Sequence, residues 1–452
     1  MRIAIVTCLF CTTVLLATTS ARAQSPAPPQ GPSTRELLTE FGSAPNGLAR
    51  YNYLTSVLPL VQGDDRSLVQ QLLATVDSEL GLYNEALVAF PFDNRIAPPS
   101  SIPLPFEDDW RSVDAADAVV AAAADRRIVM INEAHHDAHT RELTLDLLPR
   151  LRAMGFRYFA IEALGDKDPD LVQRGYVTEQ SGSEYLLEPL YGEIVRQAIK
   201  LGFIIVPYDP EKATIENRDT EEAAALYAKV FAKDPQAKLF VHAGYSHVDK
   251  APGNLGDDIH PMAMQLKQLS GLDPLCVDQV QFRDVAPGGL DFGPYSTVAM
   301  QFRPQGPIAL RNRHTNAIWS SDPSRHDISV ILPPVTERDL DVRGLMKPDL
   351  MRRIILLPSE PFDMDQRPSW LTLGGKRVPF TINQDLCNRR IPCVVDAYYP
   401  NEPDTSVPAD RYTFHDAHSR NELYLYPGRY RLRAWNAGGT TLSEQEIVVP
   451  AR

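Results

Sequence analysis

Glu133 opens a run in which one carboxylate is followed by three imidazoles, Glu133-Ala134-His135-His136-Asp137-Ala138-His139. A second run, His242-Ala243-Gly244-Tyr245-Ser246-His247, adds two more, so five of the chain's ten histidines fall in two places. Glu162, Asp166, Tyr208-Asp209 and Asn217-Arg218-Asp219 supply further carboxylates and a guanidinium. A carboxylate beside an imidazole suits general acid/base work, because the anion orients the ring and stabilises its protonated form. The same pairing suits ligation of a divalent cation. No His-Glu-x-x-His is present, so the metal reading rests on proximity alone. His139 stands four residues after His135 and three after His136, spacings that one helical turn would bring to a common face. Its simplest reading is a hydrogen-bonded, non-catalytic side chain.

Groups this far apart in sequence act together only if a fold gathers them, and the pattern from Asp114 to about Phe302 describes one. Short apolar runs read as strands at Ile128 to Ile131, Tyr158 to Ile161, Phe203 to Val206, Lys238 to Val241 and Leu275 to Phe282. Helical patterns lie between them, over Asp114 to Ala124, Arg141 to Met154, Glu184 to Leu201, Thr220 to Ala232 and Met262 to Leu269. Ser296 to Phe302 and Asp327 to Leu332 are expected as the last strands. The runs lack polar alternation, as a parallel sheet covered on both faces requires. Ligands of open α/β sheets sit beyond the carboxyl ends of the strands. The first four strands are each followed by titratable groups, which predicts one cleft holding Glu133, His136, Arg218 and His247. His135, Glu162, Asp209, Asp219 and His242 are its supporting or alternative members. Adjacent residues on a turn point different ways, so only one of His135 and His136 can face the cleft.

Thr34 to Glu85 reads as helical and Pro91 to Pro105 as a proline-rich loop. From about Trp370 the apolar runs become short and alternating, with Gly374-Gly375, Pro427-Gly428 and Gly438-Gly439 at hairpin spacing. The expected fold class is α/β, a layered, mostly parallel sheet with helices on both faces. A helical segment precedes it and a small β-sandwich follows. The expected division is a leader and helical segment over 24–111, the α/β domain over 112–335, a linker over 336–368 and the β-sandwich over 369–452.

Met1-Arg2, the apolar run Ile3 to Ala17 and Ala21-Arg22-Ala23 predict a signal peptide over 1–23, cleaved before Gln24. That run is shorter than the roughly 20 residues needed to span a bilayer, and no later run reaches that length, so no transmembrane anchor is expected. A periplasmic or secreted location follows. Cys387 and Cys393 are separated by only five intervening residues in a compartment that permits disulfides, which predicts a bridge; Cys276, in an apolar run, is expected in the core. Cleavage would take the net charge from -13 to about -15, which argues against a nucleic-acid partner. A small-molecule or cell-envelope substrate fits better.

The order Glu133-Ala134-His135-His136 after a strand, Phe156 to Glu162, Asn217-Arg218-Asp219 opening a helix and Lys238 to His247 resembles the erythromycin esterase-like group. The broader set includes the ChaN haem-binding and Tiki-type proteins, and the resemblance covers roughly residues 112 to 335, about half the chain. It implies that a Gly-Glu-x-x-His or Gly-Glu-x-His turn supplies the working carboxylate and imidazole, here Glu133 with His136 or His135. Asn132 replaces the glycine. Arg218-Asp219 matches the group's Arg-Asp pair, although the usual following Met-Ala is Glu222-Ala223 here, and His247 matches its late histidine. Gly244-Tyr245-Ser246-His247-Val248 is similar to a nucleophile elbow, but Val248 stands where a second glycine is needed, against a serine hydrolase of that type. The C-terminal stretch around Tyr426-Pro427-Gly428-Arg429-Tyr430 resembles immunoglobulin-like and carboxypeptidase-regulatory-like modules.

Three functions are then in view. The first is a hydrolase in which Glu133 or an imidazole activates water and Arg218 stabilises the developing oxyanion. The second is a binding protein for haem or a divalent metal, with Tyr208, Tyr245 and the histidines as ligands. The third is an inactive envelope scaffold whose C-terminal domain makes the contacts.

Overall fold

The computed structural model describes residues 31–451 apart from 97, 211–212, 215, 257, 286–292, 336–363 and 416–419. The expected signal peptide over 1–23 and most of the expected linker lie outside the described residues. Four helices come first: α1 (Thr34–Ser43), α2 (Gly47–Val57), α3 (Gly63–Glu79) and α4 (Tyr83–Ala89). Ser33 and Glu36 start α1 as a reciprocal capping box, which satisfies backbone donors that the first turn leaves open.

The central unit runs β1 (Trp110–Asp114), α5 (Ala115–Ala122), β2 (Ile128–Glu133), α6 (Glu142–Ala153), β3 (Tyr158–Ile161), α7 (Leu171–Arg174), α8 (Pro189–Lys200) and β4 (Ile204–Pro207). It continues with α9 (Arg218–Leu226), β5 (Leu239–Gly244), α10 (Met262–Ser270), β6 (Leu275–Phe282), α11 (Pro294–Phe302), β7 (Ile308–Asn312) and β8 (Ile328–Ile331). These strands form one eight-stranded sheet of order β1-β7-β8-β6-β2-β5-β3-β4. The six strands from β8 to β4 are parallel, and β7 pairs antiparallel with both β8 and β1.

Alternate residues of each strand serve opposite faces. Val129, Ile131, Phe159, Ile161 and Phe240 pack with α5, α6 and α8. Ile128, Met130, Ala160, Val206 and Val241 pack with α9 and α10. Both sides of β2 and β5 are buried throughout, which is why their sequences show no polar alternation.

Ser296 to Phe302 is not a strand. The segment belongs to α11, where Tyr295 and Val298 are the buried positions, a three-residue spacing that serves one helix face. Its place at the sheet edge is taken by β7 and by β1, a strand no apolar run announces. Only Trp110 and Val113 of β1 are even partly buried, and backbone pairing to β7 holds it.

The C-terminal unit contains β9 (Val378–Asn383), β10 (Cys393–Tyr398), β11 (Asp410–Phe414), β12 (Arg420–Leu425), β13 (Gly428–Trp435) and β14 (Thr441–Val449). They form two antiparallel sheets, one of order β11-β10-β13-β14 and one pairing β12 with β9. Cys387 and Cys393 are disulfide-bonded, and Cys276 is free and buried.

The N-terminal helices do not form a unit of their own. Leu37, Leu48, Leu54, Val69 and Leu73 share one apolar core with Val395, Phe414, Leu425, Leu432 and Trp435 of the C-terminal sheets. Buried Arg411 reinforces the joint, bonding Asp396 Oδ1 at 2.5 Å and lying 3.6 Å from Glu79 at the end of α3. A smaller cluster, Tyr83, Ala138, Leu190, Trp370 and Leu371, fastens this composite body to the central unit. No helix among the described residues is long and apolar enough to cross a membrane.

Candidate active site

The parallel register sets Glu133, at the end of β2, directly opposite Gly244, at the end of β5. Glu162 follows β3 beside them, and its carboxylate accepts the Gly244 N–H. Residues distant in sequence therefore meet at one sheet edge.

Glu133 is buried and fully engaged. Its Oε1 lies 2.8 Å from His135 Nδ1, its Oε2 accepts from Arg141 Nε at 2.7 Å, and His242 Nε2 stands 3.2 Å from that same oxygen. Burial opposes its charge, yet Arg141, His135 and His242 hold it well below the usual carboxylate range. It is a fixed anion that orients His135. With Nδ1 turned to the carboxylate, Nε2 is the ring nitrogen that lies over Gly244.

The His135 ring fills the space over Gly244, where an added Cβ would overlap both its Nε2 and its Cε1. Glycine at 244 is thus demanded by close approach. Tyr185 stacks on the ring at 4.2 Å and Tyr245 stands perpendicular to it at 5.0 Å. His136, expected from the sequence to act, points elsewhere. It stacks on Phe90 at 3.7 Å, with Nδ1 3.2 Å from the Tyr245 hydroxyl. Burial, with Arg283 nearby, pushes its pKa well below the ordinary value, so the ring is neutral. His139 stacks on Trp370, outside the cleft.

A second imidazole–carboxylate pair faces the first. His247 occupies the turn after β5, and its Nδ1 is 2.9 Å from Asp219 Oδ1. Its Nε2 is 3.8 Å from Glu162 Oε1. Burial works against the cation, but Glu162, Asp219 and Glu222 together raise its pKa to about 9. It is protonated at neutral pH.

Arg218 opens α9 between these groups, bonding Glu162 Oε1 at 2.8 Å, Asp209 Oδ2 at 3.1 Å and Glu222 Oε1 at 2.9 Å. Its side chain remains 37% exposed, so the guanidinium is open to solvent on one side. Glu222 is buried, and its carboxyl is raised by that burial against the opposing effect of His247. Glu162, Glu222 and His247 offer ligand atoms within 4.8 Å of one another, a spacing that could hold a cation.

The structure thus gathers Glu133, His135, Glu162, Asp209, Arg218, Asp219, His242 and His247, with His242 behind Glu133, fully buried, and 3.0 Å from Thr144 Oγ1. Arg141, Tyr185 and Glu222 were not among the sequence candidates. Glu222 had a signal, since Arg218 and Glu222 are four apart on a helix and opposite in charge. Arg141 had none, because its importance comes from buried contacts to Glu133, Glu188 and the His135 carbonyl.

No family model matches the sequence, and no curated protein matches it. Solved structures that resemble the chain include the type III effector HopBA1, at 15% identity and a TM-score of 0.28, over 42% of this chain and 94% of that one. Another is a chain described as bacterial protein toxins, at 16% identity and a TM-score of 0.29, over 54% of this chain and 57% of that one. A third is RRSP, a MARTX toxin effector domain from Vibrio vulnificus CMCP6, at 12% identity and a TM-score of 0.28, over 53% and 54%. This chain spans about half the length of the latter two. Likeness at this level carries no argument about activity.

Proposed function

We propose that the protein is an exported hydrolase of the erythromycin esterase-like kind, acting on an ester or amide. The observation that carries the reading is a pair of oriented imidazoles, Glu133–His135 and Asp219–His247, both beside Glu162. In this reading His135 Nε2 takes a proton from water as the water oxygen attacks the carbonyl carbon. The His247 imidazolium returns a proton to the departing alkoxide or amine, and Arg218 stabilises charge on the carbonyl oxygen. Two rings, each set by its own carboxylate, suit the two proton transfers, since one must accept while the other donates. Export is supported by the Ala21-Arg22-Ala23 pattern and by the Cys387–Cys393 bridge.

The test is turnover of a panel of chromogenic esters and anilides by the chain from Gln24. Hydrolysis should occur and should fall by about 10²–10⁴ in both His135→Asn and His247→Gln. Wild-type protein that turns over none of the panel, or variants as active as it, would sink the reading.

A second reading rests on Glu162, Glu222 and His247 as ligands of a divalent cation. Arg218 already bonds both of these carboxylates, so a cation would compete with the guanidinium for the same oxygens. Zinc or manganese that raises the melting temperature, with the rise lost in Glu222→Gln, would favour it.

A further inference from the structure

We infer that Tyr245 positions the His135 imidazole, and that Asn132 and His136 hold Tyr245 in place. The inference rests on the proposed function only in taking His135 as the working base.

Tyr245 directly follows β5 with φ at +42°, a left-handed conformation that bulky side chains rarely adopt. Such strain persists only where surrounding contacts over-determine it, and two such contacts are present. The Tyr245 carbonyl accepts from Asn132 Nδ2 at 3.0 Å, and its hydroxyl lies 3.2 Å from His136 Nδ1. Asn132 is itself immobilised: its Nδ2 also donates to Asp278 Oδ1 at 2.8 Å, and its Oδ1 accepts the Gln279 N–H at 2.8 Å. Its one amide therefore ties the end of β2 to the turn after β5 and to the middle of β6.

His136 is held on its other side by the Phe90 ring, and as a neutral imidazole it can accept at Nδ1. The phenol, kept protonated by burial, supplies the proton for that bond. The result is a Tyr245 ring fixed at both ends and set perpendicular to His135. With Glu133 at Nδ1, Tyr185 on the face and Gly244 beneath, His135 has one orientation available. On this account the imidazole that does not enter the cleft sustains the one that does.

The experiment follows the His135 imidazole by ¹⁵N NMR in the full chain, which reads the ring tautomer without any substrate. Tyr245→Leu should mix the His135 tautomers, pulling its two ring ¹⁵N resonances toward each other. His136→Gln and Asn132→Gly should move these resonances in the same direction. Tyr245→Phe, which restores the ring alone, should give a smaller shift than Tyr245→Leu. Where turnover is measurable, kcat should fall about 10-fold or more in Tyr245→Leu with KM little changed. If Tyr245→Leu and His136→Gln both fold, by circular dichroism, and leave the His135 ring resonances and tautomer unchanged, the inference is overturned. If the NMR shifts appear but wild-type protein hydrolyses nothing, the positioning stands and the hydrolase reading fails.

Discussion

At the scale of single residues, the two adjacent histidines separate by what surrounds them. His135 has its Nδ1 on Glu133 and its Nε2 over Gly244, whereas His136 is stacked on Phe90 and neutral. His136→Gln should therefore cost at most about 10-fold in kcat, against the far larger loss for His135→Asn, a contrast that steady-state kinetics reads directly. His247 gives the second prediction. As a general acid it works while protonated, so the rate should fall as pH rises through about 9. Asp219→Asn removes one of the anions that raise it and should move that limb to lower pH. The same shift has a stability sign. The folded pKa lies above the ordinary imidazole value, so the contribution is complete below that value and is lost as pH rises through about 9. Thermal melts of the wild type and of Asp219→Asn across pH 6 to 10 would show whether the difference closes at the alkaline end, as expected.

At the scale of elements, the site depends on a buried ionic chain between helices and strands. Arg141, at the start of α6 and fully buried, joins Glu133 of β2 to Glu188 before α8, and Glu188 in turn accepts the Tyr83 hydroxyl of α4 at 2.8 Å. Its guanidinium also lies 4.6 Å over the Tyr191 ring. Removing one partner leaves the others charged and desolvated, so Arg141→Met should cost about 3–5 kcal/mol by denaturant titration. A change under about 1 kcal/mol would mean that the chain is not the support described. The sheet and most of its helices were legible from apolar runs, because burial on two faces suppresses polar alternation in β2, β3 and β5. β1 was illegible because an edge strand can be held by backbone bonds alone, and α11 was misread because nine residues with two buried positions barely display a period.

At the scale of the whole molecule, the N-terminal helices and the C-terminal sheets fold as one body around the central unit. Leu37, Leu48, Leu54, Val69 and Leu73 are all under 8% exposed against those sheets, and each is worth about 1.5–3 kcal/mol if stripped of its cover. Deleting residues 31–89 should thus abolish cooperative unfolding of the C-terminal sheets, seen as loss of amide-exchange protection across β10, β11 and β13. A truncated chain that still melts cooperatively would contradict the shared core. The sequence by itself determined the α/β class, the clustering of titratable residues past the strand ends and the Cys387–Cys393 bridge, since periodicity and close spacing are local properties. Only the tertiary structure decided which histidine enters the cleft, that Arg141 holds Glu133, and that the two termini share a core. Those outcomes depend on Phe90, Tyr185, Glu188, Tyr245 and Trp435, side chains whose positions are set by packing between segments far apart along the chain.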